Sequence, residues 1–314
     1  MEKLRIVFMG TPDFAVGILD AIYKDNYEIA AVITAPDKPA GRGQKIHQSA
    51  VKQYALEKGL KIMQPTNLKA EDFLDELRAL NANLQVVVAF RMLPKAVWSM
   101  PKLGTFNLHA SLLPDYRGAA PINWAIINGE EKTGVTTFFI DEKIDTGAII
   151  LQKEISIEKT ETAGILHDKL MVLGAQAVLE TLKLIEKGAI NTIIQPLEDT
   201  KTAYKLNRDN CKVNFNQSSK QVYDHIRGLN PYPAAYTMVR DEENEWNVKL
   251  YDVSYLIENH SFKPGKLIAS KKNISIATAD GFIEIETLQF PGKKKMKASE
   301  LLNGIQFSDN TYCF

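Results

Sequence analysis

The chain has 314 residues, 45% of them hydrophobic and 24% charged. That is enough for a substantial core divided between two domains, and far from the composition of a disordered segment. Its 38 Lys and Arg balance 38 Asp and Glu, so overall charge does not mark a strongly basic nucleic-acid binder.

The first 24 residues give LRIVFMG, a short apolar run ending in Gly10, then helical spacing of Phe14, Ile18, Leu19 and Ile22. EIAAVIT (28–34) and LQVVVAF (84–90) are further strands of the fully buried kind, separated by amphipathic helices at 49–58 and 70–79 and a short strand at KIMQ. Apolar strands alternating with helices predict a doubly wound α/β domain with a mostly parallel sheet, its ligands beyond the C-terminal strand ends. GTFNLH (104–109), VTTFFID (135–141) and AIILQKEISI (148–157) extend the sheet, the last two as a hairpin, and a long helix follows at 161–187. After about 205 the pattern changes to one helix (217–228) and closely spaced short strands between 235 and 290. This predicts a small β-barrel of the oligonucleotide-binding (OB-like) type, with domains at 1–204 and 205–314.

Only Cys211 and Cys313 are cysteines, which leaves no disulfide framework and suits a reducing compartment. No His, Cys and Asp spacing suits a metal. No signal-peptide pattern and no apolar stretch near the roughly 20 residues of a membrane helix is found. A soluble, cytoplasmic protein without membrane contact or metal is expected, and a monomer.

NLHASLLPDYRGAAP (107–121) carries the strongest chemical signal. On a strand, Asn107 and His109 share one face while Leu108 takes the other. Pro114, Gly118 and Pro121 keep the following stretch out of a regular helix, although it carries Leu112 and Leu113. Such a pair can be a hydrogen-bonded core feature or a site at a strand end. Asp145, in the turn DEKIDTG (141–147), can cap that turn or face His109 and fix its tautomer. TAPDKPAGRGQK (34–45) reads as a basic loop with Lys38, Arg42 and Lys45, either plainly solvated or reaching for a phosphate. On the barrel, Lys293, Lys294, Lys295 and Lys297 form the densest cationic cluster. It is a solvated face or a footprint for a nucleic-acid backbone. The excess over residues 201–314 is small, 16 Lys and Arg against 13 Asp and Glu. Tyr232, Tyr236 and Trp246 are expected in the core.

N-L-H-x-S-L-L-P-x-Y-R-G-x-x-P followed by D-x-x-x-D-T-G resembles the signature of the folate-dependent formyltransferases. The resemblance implies a Rossmann-like domain and 10-formyltetrahydrofolate as formyl donor. GTPDFA, the A-P-D-K-P-A-G-R-G loop and the extra C-terminal domain are similar to the branch that formylates methionine on initiator methionyl-tRNA. Carried over, the catalytic residues fall on Asn107, His109 and Asp145, and the folate-contacting turn on Ser111, Leu112, Leu113 and Pro114. A tRNA-contacting Arg falls on Arg42. The same signature leaves open a formyltransferase for another amine (glycinamide ribonucleotide or an amino sugar) and a non-catalytic RNA- or folate-binding module. The chemistry agrees with the residues: an Asn amide suits an oxyanion, and a His oriented by Asp suits proton transfer.

Overall fold

Seven strands make up the sheet of a first unit, which comprises Met1–Gly118, Thr133–Ile155 and His167–Thr202. The computed structural model describes residues 3–40, 45–196 and 201–314. Its early elements are β1 (Arg5–Gly10), α1 (Asp13–Lys24), β2 (Glu28–Ile33), β3 (Lys38–Ala40), β4 (Lys45–His47), α2 (Ala50–Glu57) and β5 (Ile62–Met63). Next come α3 (Glu71–Ala79), β6 (Leu84–Val88), α4 (Lys95–Trp98), β7 (Thr105–His109), β8 (Arg117–Gly118), α5 (Pro121–Ile127), β9 (Lys132–Phe139), β10 (Ile149–Ser156) and α6 (Ala163–Glu186).

The strand order is β10-β9-β7-β6-β1-β2-β5. β5, β2, β1, β6 and β7 run parallel, and β9 is antiparallel to β7. These strands are buried on both faces, as continuous apolar runs dictate. On one face Val7, Met9, Ala31, Ile33 and Val87 pack with Phe73, Leu74 and Leu77 of α3 and Val97 of α4. The order reverses between β1 and β6, which opens a crevice beyond their C-terminal ends. Gly10 ends β1 there: a Cβ on it would stand 2.6 Å from Ala15 Cβ and 3.0 Å from the Val88 carbonyl oxygen. Only glycine lets these backbones approach so closely.

The stretch expected as an irregular basic loop differs in part. Lys38–Ala40 pairs antiparallel with Lys45–His47. Its root is fixed by Asp37, which accepts from Lys52 Nζ at 2.5 Å and from Gln64 Nε2 at 2.8 Å. Arg42 lies outside the described residues.

The second unit comprises Ala119–Lys132, Ser156–Leu166 and Ala203–Phe314. It thus takes two segments from within 1–204, where the sequence suggests a single cut. After β11 (Thr202–Ala203), which pairs with β8, come α7 (Ser219–Leu229), β12 (Ala235–Asp241), β13 (Asn244–Leu250), β14 (Val253–Ile257) and β15 (Leu267–Ala269). Then follow β16 (Ile274–Ala277), β17 (Gly281–Ile285), β18 (Thr287–Gln289), β19 (Met296–Lys297), α8 (Ala298–Leu301) and β20 (Tyr312–Cys313). They form two antiparallel sheets, β19-β18-β13-β12-β20 and β14-β17-β16-β15. β13 runs almost directly into β14 and β17 into β18, so the chain switches sheets twice. A bridge between Lys266 and Tyr312 joins the other margins, giving a small barrel-like domain.

Asn123 Nδ2 donates to the Gly228 carbonyl at 2.8 Å, and Arg227 Nη1 to the Glu161 carbonyl at 2.7 Å. Those bonds hold the two early segments to α7. Tyr236 and Trp246 pack against the barrel core, but Tyr232 is exposed. It sits between Pro231 and Pro233 in the turn after α7, where no regular element directs its ring inward.

Candidate active site

β7 alternates as period two requires. Phe106 and Leu108 are buried, with Leu108 packed against Gly174 of α6. Asn107 stands beside Val87 in the neighbouring strand, which in turn stands beside Met9. Asn107 therefore lies on the α3 and α4 side of the sheet, and His109 follows on the same side. Asn107 is half-buried, and among the described residues nothing hydrogen-bonds its side-chain amide.

His109 is buried, and one of its ring nitrogens is hydrogen-bonded. Its Nε2 lies 2.8 Å from the Tyr116 carbonyl oxygen. A carbonyl only accepts, so Nε2 carries a proton. Nδ1 is 3.8 Å from Asp145 Oδ2, with the two side chains 7% and 14% exposed. The structure thus brings together the pair that the sequence could only suggest.

Asp145 is fixed by its backbone as much as by its carboxylate. Oδ2 accepts from the Gly118 N–H at 3.0 Å. The Asp145 carbonyl accepts from Arg117 Nε at 3.1 Å and from Gln195 Nε2 at 3.1 Å. Three consecutive residues therefore serve the pair: Tyr116 holds His109, Arg117 the Asp145 carbonyl and Gly118 the Asp145 carboxylate. Asp145 has φ of 55°, Tyr116 of 61° and Ala89, just past β6, of 46°. Left-handed backbone costs a non-glycine residue about 1–2 kcal/mol, least for Asp, and persists where surrounding contacts over-determine it.

The 141–147 loop has its own framework. Asp141 accepts from the Lys143 N–H at 3.0 Å and from Thr146 Oγ1 at 2.8 Å. A Cβ at Gly147 would fall 1.6 Å from the Phe139 carbonyl oxygen, so the loop's return onto β9 requires glycine. Lys95 Nζ bonds Glu142 at 2.7 Å and holds that carboxyl below its usual range. This ties the loop to the segment after β6. Each segment exposes one large apolar side chain, Ile144 and Met92.

The 111–114 turn is built from within. Ser111 is fully buried, and its hydroxyl donates to the Asp115 carbonyl at 2.6 Å. Thr136 Oγ1 accepts from the Leu113 N–H at 3.1 Å and donates to the Ser111 carbonyl at 2.6 Å. Gln152 Nε2 donates to the Leu113 carbonyl at 2.8 Å. Leu113 is buried with Phe138 and Ile149. Only Leu112 and Pro114 keep partly open side chains. Ser111 and Leu113 therefore shape the turn.

Far along the chain, Lys293, Lys294, Lys295 and Lys297 are exposed around the β18–β19 turn. Lys295 is engaged, 2.8 Å from Asp252 Oδ2 and 4.6 Å from the centre of the Tyr251 ring. Among the described residues no group of three or more His, Cys, Asp or Glu is placed to hold a metal ion, and no helix is long and apolar enough to cross a membrane. Sequence reasoning missed Tyr116, Arg117 and Gln195 as site supports, and Met92 beside the crevice. The switch-point rule is the one signal that could have drawn attention to Met92.

The family model described as "Formyl transferase" matches residues 4–182, and "Formyl transferase, C-terminal domain" matches 205–306. Methionyl-tRNA formyltransferase of Flavobacterium johnsoniae is 65% identical over 98% of both chains. That of Bacteroides fragilis is 50% identical over 98% of this chain and 97% of its own. Among solved structures, the sugar 3N-formyl transferase WlaRD, in the presence of dTDP and 5-N-formyl-THF, has a TM-score of 0.64 at 24% identity. That match covers 94% of this chain and 100% of the other. HypX from Aquifex aeolicus in complex with tetrahydrofolic acid gives 0.64 at 19%, over 96% of this chain and 47% of the other. At such identities the likeness is one of fold.

Proposed function

The chain belongs to the formyl transferase family, and from that premise we propose that it moves a formyl group from 10-formyltetrahydrofolate to the α-amino group of methionine on initiator methionyl-tRNA. The observation that carries this reading is the site itself. Asn107, whose amide has no hydrogen-bond partner among the described residues, lies beside a buried His109–Asp145 pair at the ligand end of a Rossmann-like sheet. Relatives at 50 and 65% identity over nearly the whole chain carry the corresponding name.

10-Formyltetrahydrofolate supplies the formyl carbon when bound. The residues present fit it: Leu112, Pro114, Met92 and Ile144 offer apolar surface to a flat ring. The substrate amine attacks the formyl carbon, and the carbonyl oxygen takes the electron pair. Asn107 donates to that oxyanion, a contribution of roughly 2.7–4 kcal/mol for one well-placed donor. In the neutral ring, with Nε2 donating to Tyr116, His109 Nδ1 takes the proton from the attacking nitrogen. Asp145 stabilises the resulting imidazolium. His109 then returns the proton to the leaving folate nitrogen as its bond to the formyl carbon breaks. Formyl and one proton have exchanged places.

Arg42 and the β3–β4 segment, and the exposed Lys293, Lys294 and Lys297, are assigned to tRNA phosphates. Lys295 acts first on Asp252. The test is incubation of purified protein with 10-formyltetrahydrofolate and charged initiator tRNA, with glycinamide ribonucleotide and a dTDP-amino sugar in parallel. Formylmethionine on the tRNA is the expected product. Turnover with either small amine and none with the tRNA would overturn the reading.

A further inference from the structure

Gln195 lies in the irregular segment after α6 and is 4% exposed. Both ends of its amide are used. Oε1 accepts from Arg117 Nε at 3.2 Å and Nη2 at 2.8 Å. Nε2 donates to the carbonyl oxygens of Asp145 at 3.1 Å and Gly147 at 2.7 Å. Arg117 adds its own bond to the Asp145 carbonyl at 3.1 Å and another to the Pro196 carbonyl at 3.1 Å. The segment that bears Gln195 is itself anchored, because Ile193 and Ile149 exchange backbone hydrogen bonds of 2.8 and 2.9 Å.

We infer that Gln195, supported by Arg117, is a positioning residue for the reaction: it grips the peptide carbonyl of Asp145 and so sets the Asp145 carboxylate against His109. The inference rests on the reading that Asp145 assists His109 in proton transfer. Asp145 sits in left-handed backbone at φ of 55°, a conformation that must be held from outside. Among the described residues its carboxylate has a single backbone donor, Gly118 at 3.0 Å, which alone leaves rotation about that bond free. The carbonyl on the same residue takes two side-chain donors, which fix the backbone that carries the carboxylate. Gln195 also spans the loop by bonding carbonyls on either side of Thr146, so the turn moves with it as one body. Glutamine suits this task because one amide supplies two donors and two acceptor sites without a charge that would compete with the carboxylate.

The test uses the full-length protein and single-turnover formylation of charged tRNA. Gln195→Ala removes the grip. Gln195→Glu keeps an acceptor for Arg117 but has no N–H for the two carbonyls, and it carries the readout if the alanine variant does not fold. Both should lose roughly tenfold or more in turnover, with apparent affinity for folate and tRNA within about threefold. A residue acting through Asp145 must also be non-additive with it. In an Asp145→Asn background the Gln195 substitution should change the rate by less than about twofold. Native turnover in both Gln195 variants alongside an impaired Asp145→Asn would overturn the inference. So would a full multiplicative loss in the double variant. Native turnover in Asp145→Asn alone would instead overturn the Asp145 reading beneath it.

Discussion

Replacing Asp145 with Asn removes a charge and little else. Asn accepts the left-handed backbone almost as readily as Asp, and its Oδ1 can keep the bond from the Gly118 N–H at 3.0 Å. What disappears is the attraction between a carboxylate and the imidazolium formed at His109. Across the 3.8 Å between Oδ2 and Nδ1, with an effective dielectric constant of about 20, that attraction is about 4 kcal/mol. With side chains 7% and 14% exposed, water and salt screen little of it. The imidazolium exists only while the proton is in transit, so the loss belongs to turnover and not to binding. At about 1.4 kcal/mol per factor of ten, kcat should fall by up to about 10³-fold. Single-turnover formylation gives the rate, and folate and tRNA titrations give the affinities. A rate within about threefold of native, or a loss shared equally by the affinities, would mean that the Asp145 charge does not serve proton transfer at His109.

Asn107→Ala should lower turnover by about 10²–10³ with substrate affinities retained, since one oxyanion donor is removed; a loss confined to KM in steady-state kinetics would place Asn107 in ground-state binding. Replacing Lys293, Lys294 and Lys297 with Gln should flatten the log–log salt dependence of tRNA binding by roughly 0.7–0.9 for each phosphate that is no longer neutralised. Lys295→Gln should change it less, because Lys295 is already 2.8 Å from Asp252. Partial burial works against the charge on Asp252, but bonds from Lys295, Thr287 and Asn230 outweigh it and hold the carboxyl below its ordinary value of 3.8. The folded state thus takes up this proton less readily than the unfolded chain. The stabilisation is present above the unfolded value and lost as pH falls through the lowered one. In urea titrations Asp252→Asn should cost stability at neutral pH and progressively less below about pH 4; an equal cost at pH 3 and pH 7 would contradict it. Burial raises the thiols of Cys211 and Cys313, so both should react with thiol reagents only after denaturation, as an absorbance assay would report.

Much of the fold is legible because β1, β2 and β6 are short apolar runs between helices of clear periodicity. α4 and α5, of four and seven residues, are too short to show a period. The grouping of 119–132 and 156–166 with the second unit depends on packing against α7, across 105 positions for Asn123 with Gly228 and 66 for Glu161 with Arg227. No local pattern encodes that. At the site, alternation along NLH places Asn107 and His109 correctly, and the motif points to Asp145. The supports are hidden for a physical reason. Tyr116 acts through a backbone carbonyl, which any residue possesses. Arg117 and Gln195 meet across 78 positions of sequence, and a lone Gln in an irregular stretch carries no signature. In the 111–114 turn the position of Ser111 is legible, but not that its hydroxyl closes onto Asp115.

The most direct measurement is the single-turnover rate of formyl transfer to methionine on charged initiator tRNA. Native protein should be compared with the triple variant Asn107→Ala, His109→Ala and Asp145→Asn, both substrates being saturating. Rapid formation of formylmethionine by the native protein is expected, with a loss of roughly 10³-fold or more in the variant and folate and tRNA still bound. No formylmethionine from the native protein, or a variant rate within about tenfold of native, would contradict it.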